Sequence, residues 1–251
     1  MVLKPRQREA GSRAEAAALE AAYGGLDPRE IVAVALNQFW AGELAAVSSF
    51  GADSAVLLHM IASHDPGLPV LFLDTGQHFE ETLRYRDQLV DDLGLTDLRI
   101  VEPLADAVSR EDPDRVLHRA DAEACCAIRK VEPMQRAVQS FKAWFTGRKR
   151  FQASTREKMP VFEAVGPRIR INPLASWGTE EIGAYMEEHG LRQNPLVAFG
   201  YLSIGCFPCT QPVAAGADPR SGRWTGQAKT ECGIHLPGAF GEGQSTTARD
   251  L

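Results

Sequence analysis

The stretch LAAVSSFGADSAVLLHMIASHDPGLPVLFLDTG, residues 44–76, reads as strand, loop, helix, strand, loop. Leu44 to Ser49 is a short apolar run of the kind a buried strand needs. Asp53 to Ser63 places Val56, Leu57, Met60 and Ile61 on one side of a helix. Val70 to Leu73 is a second buried strand, and Asp74-Thr75-Gly76 ends it. Working outward, Phe79 to Leu93 reads as helix and Leu98 to Val101 as a third strand. Ala143 to Thr146 and Arg168 to Ile171 read as further strands, and Thr179 to His189 as a capped helix. Upstream, the alanine-rich Ala14 to Tyr23 stops at Gly24-Gly25, and Asp27-Pro28 opens a helix through about Asn37. Alternating strands and helices at this spacing predict an α/β fold: an open, mostly parallel twisted sheet with helices on both faces.

After about Tyr201 glycine, proline, serine and threonine become frequent and the apolar periodicity fades. Residues 1–200 therefore read as an α/β core with N-terminal helices. Residues 201–251 read as an anchored segment followed by a mobile C-terminal arm, and the polar GEGQSTTARD near the end reads as disordered.

With 251 residues, 44% hydrophobic and 24% charged, the chain can bury a full core. A net charge of −6 argues against broad nucleic-acid binding. No apolar run is long enough to span a bilayer, and MVLKPRQREA lacks the apolar stretch of a secretory signal. The expected location is a reducing cytoplasm, where cysteines ligate metals or react. Composition leaves a homo-oligomer open.

Two loops fall on one edge of the predicted sheet, where open α/β folds bind ligands. Ser49, Gly51 and Ser54 lie in a strand-to-helix turn able to cradle an anion, although the Gly-Lys-Ser/Thr ending of a Walker A loop is absent. Asp74, Thr75 and Gly76 follow the next strand. Either loop alone is an ordinary turn; side by side they suggest a nucleotide pocket. The basic string Gly147-Arg148-Lys149-Arg150, with Thr155-Arg156 after it, is either a solvated surface or an anion contact. Arg220 and Arg223 form a second candidate anion clamp.

The five cysteines carry the strongest signal. Cys125 and Cys126 are adjacent, and Cys206 and Cys209 form a Cys-Phe-Pro-Cys pair. Four soft thiolates can make a metal site. Adjacent cysteines converge poorly on one zinc ion, whereas an iron–sulfur cubane offers a separate corner to each; a zinc site is the competing reading. Cys232 stands apart, with Lys229 and His235 three residues to either side. Those cations would favour its thiolate, and Glu231 would oppose it.

The combination Cys-Cys-Ala-Ile-Arg-Lys, Gly-Cys-Phe-Pro-Cys-Thr and Lys-Thr-Glu-Cys-Gly-Ile-His resembles the assimilatory adenylylsulfate (APS) reductases, relatives of the phosphoadenylylsulfate (PAPS) reductases. The resemblance runs from about Leu44 to Pro237. It implies an adenine-nucleotide α-hydrolase-like fold and a 4Fe–4S cluster on Cys125, Cys126, Cys206 and Cys209. It implies that Cys232 attacks the sulfur of adenylylsulfate, that AMP leaves, and that thioredoxin releases sulfite from the resulting S-sulfocysteine. It places Lys130, Arg220, Arg223 and His235 on the phosphosulfate, and the adenosine near Ser49 to Ser54, Leu73 to Gly76 and Gly147-Arg148. A thioredoxin-like domain of the kind the plant enzymes carry does not follow, so the expected thioredoxin is a separate protein. Two features depart from the pattern: Phe50 stands where many ATP-cleaving relatives have glycine, and Gly-Arg-Lys-Arg-Phe-Gln-Ala-Ser replaces the commoner Gly-Leu-Arg-Arg-Asp-Gln-Ser. The alternatives are a PAPS reductase, an ATP-dependent adenylating or thiolating enzyme of the same fold, and a zinc or redox-sensing module.

Overall fold

The computed structural model describes residues 5–214, 216–226, 229 and 231–235, the side chains of 5–8 and 235 excepted. Two helices, α1 (Pro5–Tyr23) and α2 (Pro28–Gln38), precede the first strand, β1 (Leu44–Val47). Then come α3 (Ser54–Ala62), β2 (Val70–Leu73), α4 (Glu80–Leu93) and β3 (Leu98–Val101). The short helices α5 (Ala105–Glu111), α6 (Leu117–Ala120), α7 (Ala122–Cys126) and α8 (Glu132–Ala137) lead to β4 (Ala143–Thr146). The strands β5 (Phe162–Val165) and β6 (Arg168–Ile171) and the helix α9 (Thr179–Glu188) complete the regular elements.

The sheet order is β3-β2-β1-β4-β6-β5. Every neighbouring pair is parallel except β5 with β6. All four residues of β2 and of β4 are buried, as a strand covered on both faces requires. Alternation sorts them. Leu44, Ala46, Val70, Phe72, Ala143 and Phe145 join the larger apolar cluster with residues of α1, α2, α3, α4 and α9. Ala45, Leu71, Leu73 and Trp144 face the other way, onto Met134, Val138 and Phe141. One period-two pattern thus supplies both layers.

The sequence missed β5. Its partner is β6, reached through Gly166-Pro167 with Gly166 at φ +57°, a conformation glycine adopts without strain. Helix α1 begins at Pro5 and not Ala14, because it is used against this hairpin: Ser12 Oγ donates to Gly166 O at 2.6 Å, and Glu20 Oε2 accepts from Phe162 N at 2.8 Å.

The described part of the C-terminal arm is docked on the core. Gln211 N donates to Gly222 O at 2.8 Å, and Trp224 N to Cys209 O at 3.1 Å. A Cβ at Gly222 would sit 2.1 Å from Gln211 O, so only glycine permits this approach. Phe207 N donates to Gln77 O at 2.7 Å, tying the Cys-Phe-Pro-Cys turn to the loop after β2. Residues beyond Tyr201 build no apolar core of their own; Ile204 packs with Phe79 and Leu196 of the preceding elements. The polar end GEGQSTTARD, for which disorder is the expectation, lies outside the described residues.

Phe72 is fully buried at the sheet centre, edge-on to Phe50 with ring centroids 5.6 Å apart. Phe72→Ala is expected to lower the unfolding free energy by about 3–5 kcal/mol in urea titration; a loss below about 1 kcal/mol would show that the core does not depend on this layer.

Candidate active site

The C-terminal ends of β1, β2 and β4 open into a cavity of about 380 Å³. Its floor comes from Ser48, Ser49, residues 51–54, Leu73, His78 and Thr146 to Lys149. Residues 202–205, 218–220, 223–224, 231–232 and 234 contribute the opposite wall. This is the edge where an open parallel sheet offers its loops to a ligand.

The reactive end is built around the adjacent cysteines. They close α7, and the chain then passes through a single π-helical segment, Ala127–Val131. Such a segment shifts the side-chain register, and π-turns recur at functional sites. The two basic residues within it serve different ends. Arg129 is buried, with Nε and Nη2 on Asp112 Oδ2 at 3.1 and 2.8 Å and Nη1 on Thr75 O at 2.8 Å. Lys130 reaches the cavity and lies among the sulfurs of Cys206, Cys232 and Cys126. Burial works against its charge, yet those sulfurs outweigh burial and raise its pKa.

Cys232 is buried at this end. A hydrogen bond from the Cys126 thiol pulls the Cys232 pKa well below the ordinary thiol value, against the opposing effect of burial. Lys130, the amide of Ile234 and Arg223 pull in the same direction. The same bond pushes the Cys126 thiol strongly upward, so the negative charge of the pair rests on Cys232. Lys229 acts on the neighbouring thiols of Cys126 and Cys209, lowering both. It pairs with Glu123 Oε1 at 2.5 Å and lies 5.7 Å from the Trp224 ring centre.

Two cations at this end, Lys130 and Arg223, are held by sulfur and aromatic neighbours. Arg223 stacks 4.5 Å over the Trp224 ring and packs on Gly205, where a Cβ would meet its Nη2 at 2.3 Å. Arg220 lies 5.6 Å from the same ring. Trp224 itself takes φ +49°, a strained conformation for a non-glycine residue that persists only where its surroundings enforce it. Among the described residues neither Lys130 nor Arg223 has a carboxylate partner. Glu231, on the same wall, accepts from Arg156 and from Arg220.

The remaining thiols gather behind Lys130. Cys206 Sγ is 3.3 Å from Thr75 Oγ1. Burial, then the Cys206 sulfur, pushes Cys125 up to about 11 and raises Cys209 as well. Among the described residues no three His, Cys, Asp or Glu side chains converge as they would on a single metal ion. Cys125, Cys126 and Cys206 are buried and Cys209 is half-buried, and soft thiols are a donor set that fits a sulfur-bridged iron group.

The comparisons agree with this geometry. The phosphoadenosine phosphosulfate reductase domain matches residues 43–212. The chain belongs to this family. A protein of Chelativorans sp. strain BNC1 named adenosine 5'-phosphosulfate reductase is 64% identical over 239 residues, covering 95% of this chain and 97% of its own. A protein of the same name from Mesorhizobium japonicum is 62% identical, covering 95% and 96%. The crystal structure of phosphoadenylyl-sulfate (PAPS) reductase from Candida auris, a phosphate complex, superposes with a TM-score of 0.67 at 28% identity, covering 79% of this chain and 96% of that one.

Of the family residues expected at the site, Ser49, Gly51, Ser54, Lys130, Gly147, Arg148, Arg220, Arg223 and Cys232 all line the cavity. Asp74, Thr75 and Gly76 do not: the loop turns behind the wall, where Asp74 Oδ1 accepts from Gly76 N at 2.9 Å and Thr75 faces Cys206. His235 ends the turn Gly233–His235, and its side chain lies outside the described residues. The turn after β1 spends two amides internally, Phe50 N on Ser48 Oγ at 3.2 Å and Gly51 N on Ser54 Oγ at 2.8 Å. Phe50 itself sits at φ +49°, fully buried, with its carbonyl accepting from Asn194 Nδ2 at 3.0 Å. His78, Arg129 and Trp224 were missed by sequence. Only Arg129 had a local signal, its place in Cys-Cys-Ala-Ile-Arg-Lys.

Asp112 is almost wholly buried against Arg129. Burial alone would raise its carboxyl, but the Leu117 amide and Arg129 hold it below its usual value. Arg129→Met is expected to cost about 3–5 kcal/mol of stability by leaving that carboxylate unpaired. Adding Asp112→Asn should recover part of the loss in a double-mutant cycle; strict additivity would show that the two do not act as a pair.

Proposed function

We propose that the chain reduces adenylylsulfate to sulfite and AMP, with Cys232 as nucleophile and thioredoxin as electron donor. The observation that carries this reading is the placement of the Cys232 sulfur, with Lys130 and Arg223 beside it, at one end of a cavity of nucleotide size. The names of relatives matched over nearly their full length support it.

In the first half-reaction the Cys232 thiolate attacks the sulfate sulfur. An S–S bond forms and the bond from sulfur to the bridging phosphate oxygen breaks. AMP departs with the electron pair. Charge grows on that bridging oxygen, and preorganised cations offset it without reorganising. Lys130 and Arg223 are placed for this, since sulfur and aromatic neighbours hold them instead of carboxylates, and Arg220 lies on the same wall, shared with Glu231 at 3.2 Å. In the second half-reaction a thioredoxin thiolate attacks Cys232 Sγ. Sulfite leaves with the electron pair of the S–S bond, and the second thioredoxin thiol resolves the mixed disulfide.

In this reading Cys125, Cys126, Cys206 and Cys209 hold a 4Fe–4S cluster. Bound there, the cluster would turn these thiols, three buried and Cys209 half-buried, into a fixed anionic group beside Lys130. Among the described residues no helix is long and apolar enough to cross a membrane. We place the reaction in the cytoplasm, where such thiols stay reduced.

Substrate choice follows from the basic string. Arg148 Nη1 bonds Glu163 Oε2 at 2.9 Å, Lys149 Nζ bonds Asp53 Oδ2 at 2.9 Å, and Arg150 Nε bonds Met159 O at 2.9 Å. Burial, then Arg170, lowers the Arg148 pKa to about 10, and a second anion would have to compete with Glu163 for its guanidinium. Each cation already has an acceptor, so the string offers little to an extra ribose phosphate. That favours adenylylsulfate over its 3′-phosphorylated form.

Sulfite formation with thioredoxin tests the reading. Adenylylsulfate should support it with the higher kcat/KM; sulfite from the 3′-phosphorylated nucleotide alone would reverse the substrate assignment. Arg223→Ala should raise the barrier by about 2–4 kcal/mol in kcat/KM, the usual cost of one preorganised donor. Anaerobically purified protein should carry about four irons per chain. Serine at any of the four cysteines should lower iron content and sulfite formation together, whereas stoichiometric zinc without iron would contradict the cluster.

A further inference from the structure

Glu231 directly precedes the nucleophile, and its carboxylate is not solvated. It is 5% exposed and accepts from Arg156 Nε at 2.7 Å and from Arg156 Nη2 at 2.8 Å. Arg220 Nη2 adds a contact at 3.2 Å, and the Cys232 amide donates to Oε1 at 2.9 Å. Arg156 is fixed in turn by Gln152 Oε1, 2.6 Å from its Nη1. It belongs to the turn Ser154–Arg156, on the stretch between β4 and β5. A forked, buried ion pair therefore closes a separation of 75 residues, joining the core to the arm immediately before Cys232.

Other contacts also hold this end of the arm: Lys229 pairs with Glu123 of α7, and Cys232 is hydrogen-bonded to Cys126. Ile234 O accepts from Arg170 Nη1 at 3.3 Å, and the Ile234 side chain packs at the margin of the smaller apolar cluster. Gly233 abuts Val131, where a Cβ would stand 2.9 Å from Cγ2; this is a close fit but not a tether. Removing one partner of a buried pair leaves the other charge uncompensated; Arg156–Glu231 is buried on both sides, whereas Glu123 is 60% exposed, so Arg156–Glu231 is the stronger restraint of the two. Its sign also matters. An isolated carboxylate beside a thiol would oppose the thiolate. Two guanidiniums on Glu231 leave the group with a net positive charge.

We infer that Glu231 is a positioning residue whose ion pair with Arg156 docks the C-terminal arm and holds Cys232 at the cation end of the cavity. This rests on the reading of Cys232 as nucleophile, but docking itself can be measured without any substrate. Undocking then corresponds to opening this one pair, the step that would give a second protein access to a sulfur buried in the docked form.

The test uses the full-length, cluster-loaded protein and Glu231→Gln, which keeps the shape and removes the charge. Iodoacetamide labelling of Cys232, resolved by peptide mass spectrometry with no nucleotide present, should accelerate by about tenfold or more as the local opening equilibrium shifts. AMP release in a single turnover with adenylylsulfate should slow by about the same factor. Discharge of the preformed adduct by thioredoxin should stay within about twofold of wild type, since that step needs the arm open. Iron content and AMP affinity report that the variant is folded. Should Glu231→Gln fail to fold, Glu231→Asp, which shortens the reach by one methylene, is expected to show a smaller acceleration. The charge-reversed pair Arg156→Glu with Glu231→Arg should return labelling towards the wild-type rate, which neither single reversal does. Unchanged labelling in folded Glu231→Gln, or no rescue by the reversed pair, overturns the proposal. Accelerated labelling in a protein that releases no AMP from adenylylsulfate would instead sink the activity and leave the latch standing.

Discussion

Lys130 keeps a charged ammonium among the sulfurs of Cys126, Cys206 and Cys232, and the rest of the site is organised around that arrangement. Burial alone would discharge a lysine. The sulfurs reverse this, and the lysine in turn helps lower the Cys232 thiol. The π-segment that carries Lys130 begins directly after Cys126, so the hydrogen-bond partner of Cys232 and the cation beside it are set by one short stretch of backbone. Arg129, the neighbouring residue, is spent on the opposite task of pinning that stretch to Asp112 and to the loop after β2.

The second constraint is to keep further cations near an anion site without neutralising them. A carboxylate on each would satisfy burial and abolish function. Arg223 instead has an aromatic face and the bare backbone of Gly205, an arrangement that supports a guanidinium while leaving its charge available. The strain at Trp224 and at Phe50, each at φ +49°, is of the order of 1–3 kcal/mol apiece and is borne by the packed sheet. Glu231, the carboxylate that pairs with Arg156 and Arg220, sits on the arm itself.

The core of the fold was legible because its central strands are short apolar runs, with β2 and β4 buried on both faces. β2, β3, β4 and β6 fall at the expected residues. β5 was not legible: it is an edge strand made by a Gly-Pro reversal and held by α1, a tertiary effect with no local period. The helices between β3 and β4 were missed for a related reason. Four turns of seven residues or fewer, broken by the π-segment, show no helical stripe. At the site, the cysteines and the basic residues were readable from spacing. Their partners were not. Lys229 looked like the activating cation, but it pairs with Glu123, 106 positions away in sequence, and Lys130 takes that role from a different element. Glu231 looked like an opponent of the thiolate until two distant arginines were found on it. Asp74 to Gly76 looked like a ligand loop, but its hydrogen bonds turn it towards the thiols behind the wall.

The central claim is a division of five cysteines into four that hold a group and one that reacts. Intact-mass and peptide-mapping measurements on protein mixed with adenylylsulfate and no reductant test it most directly. The account predicts a gain of about 80 Da, the mass of one SO₃, confined to the Cys232 peptide, with one AMP released per site, as a covalent intermediate split between two half-reactions requires. An adduct on Cys125, Cys126, Cys206 or Cys209, or AMP release with no adduct, would contradict it.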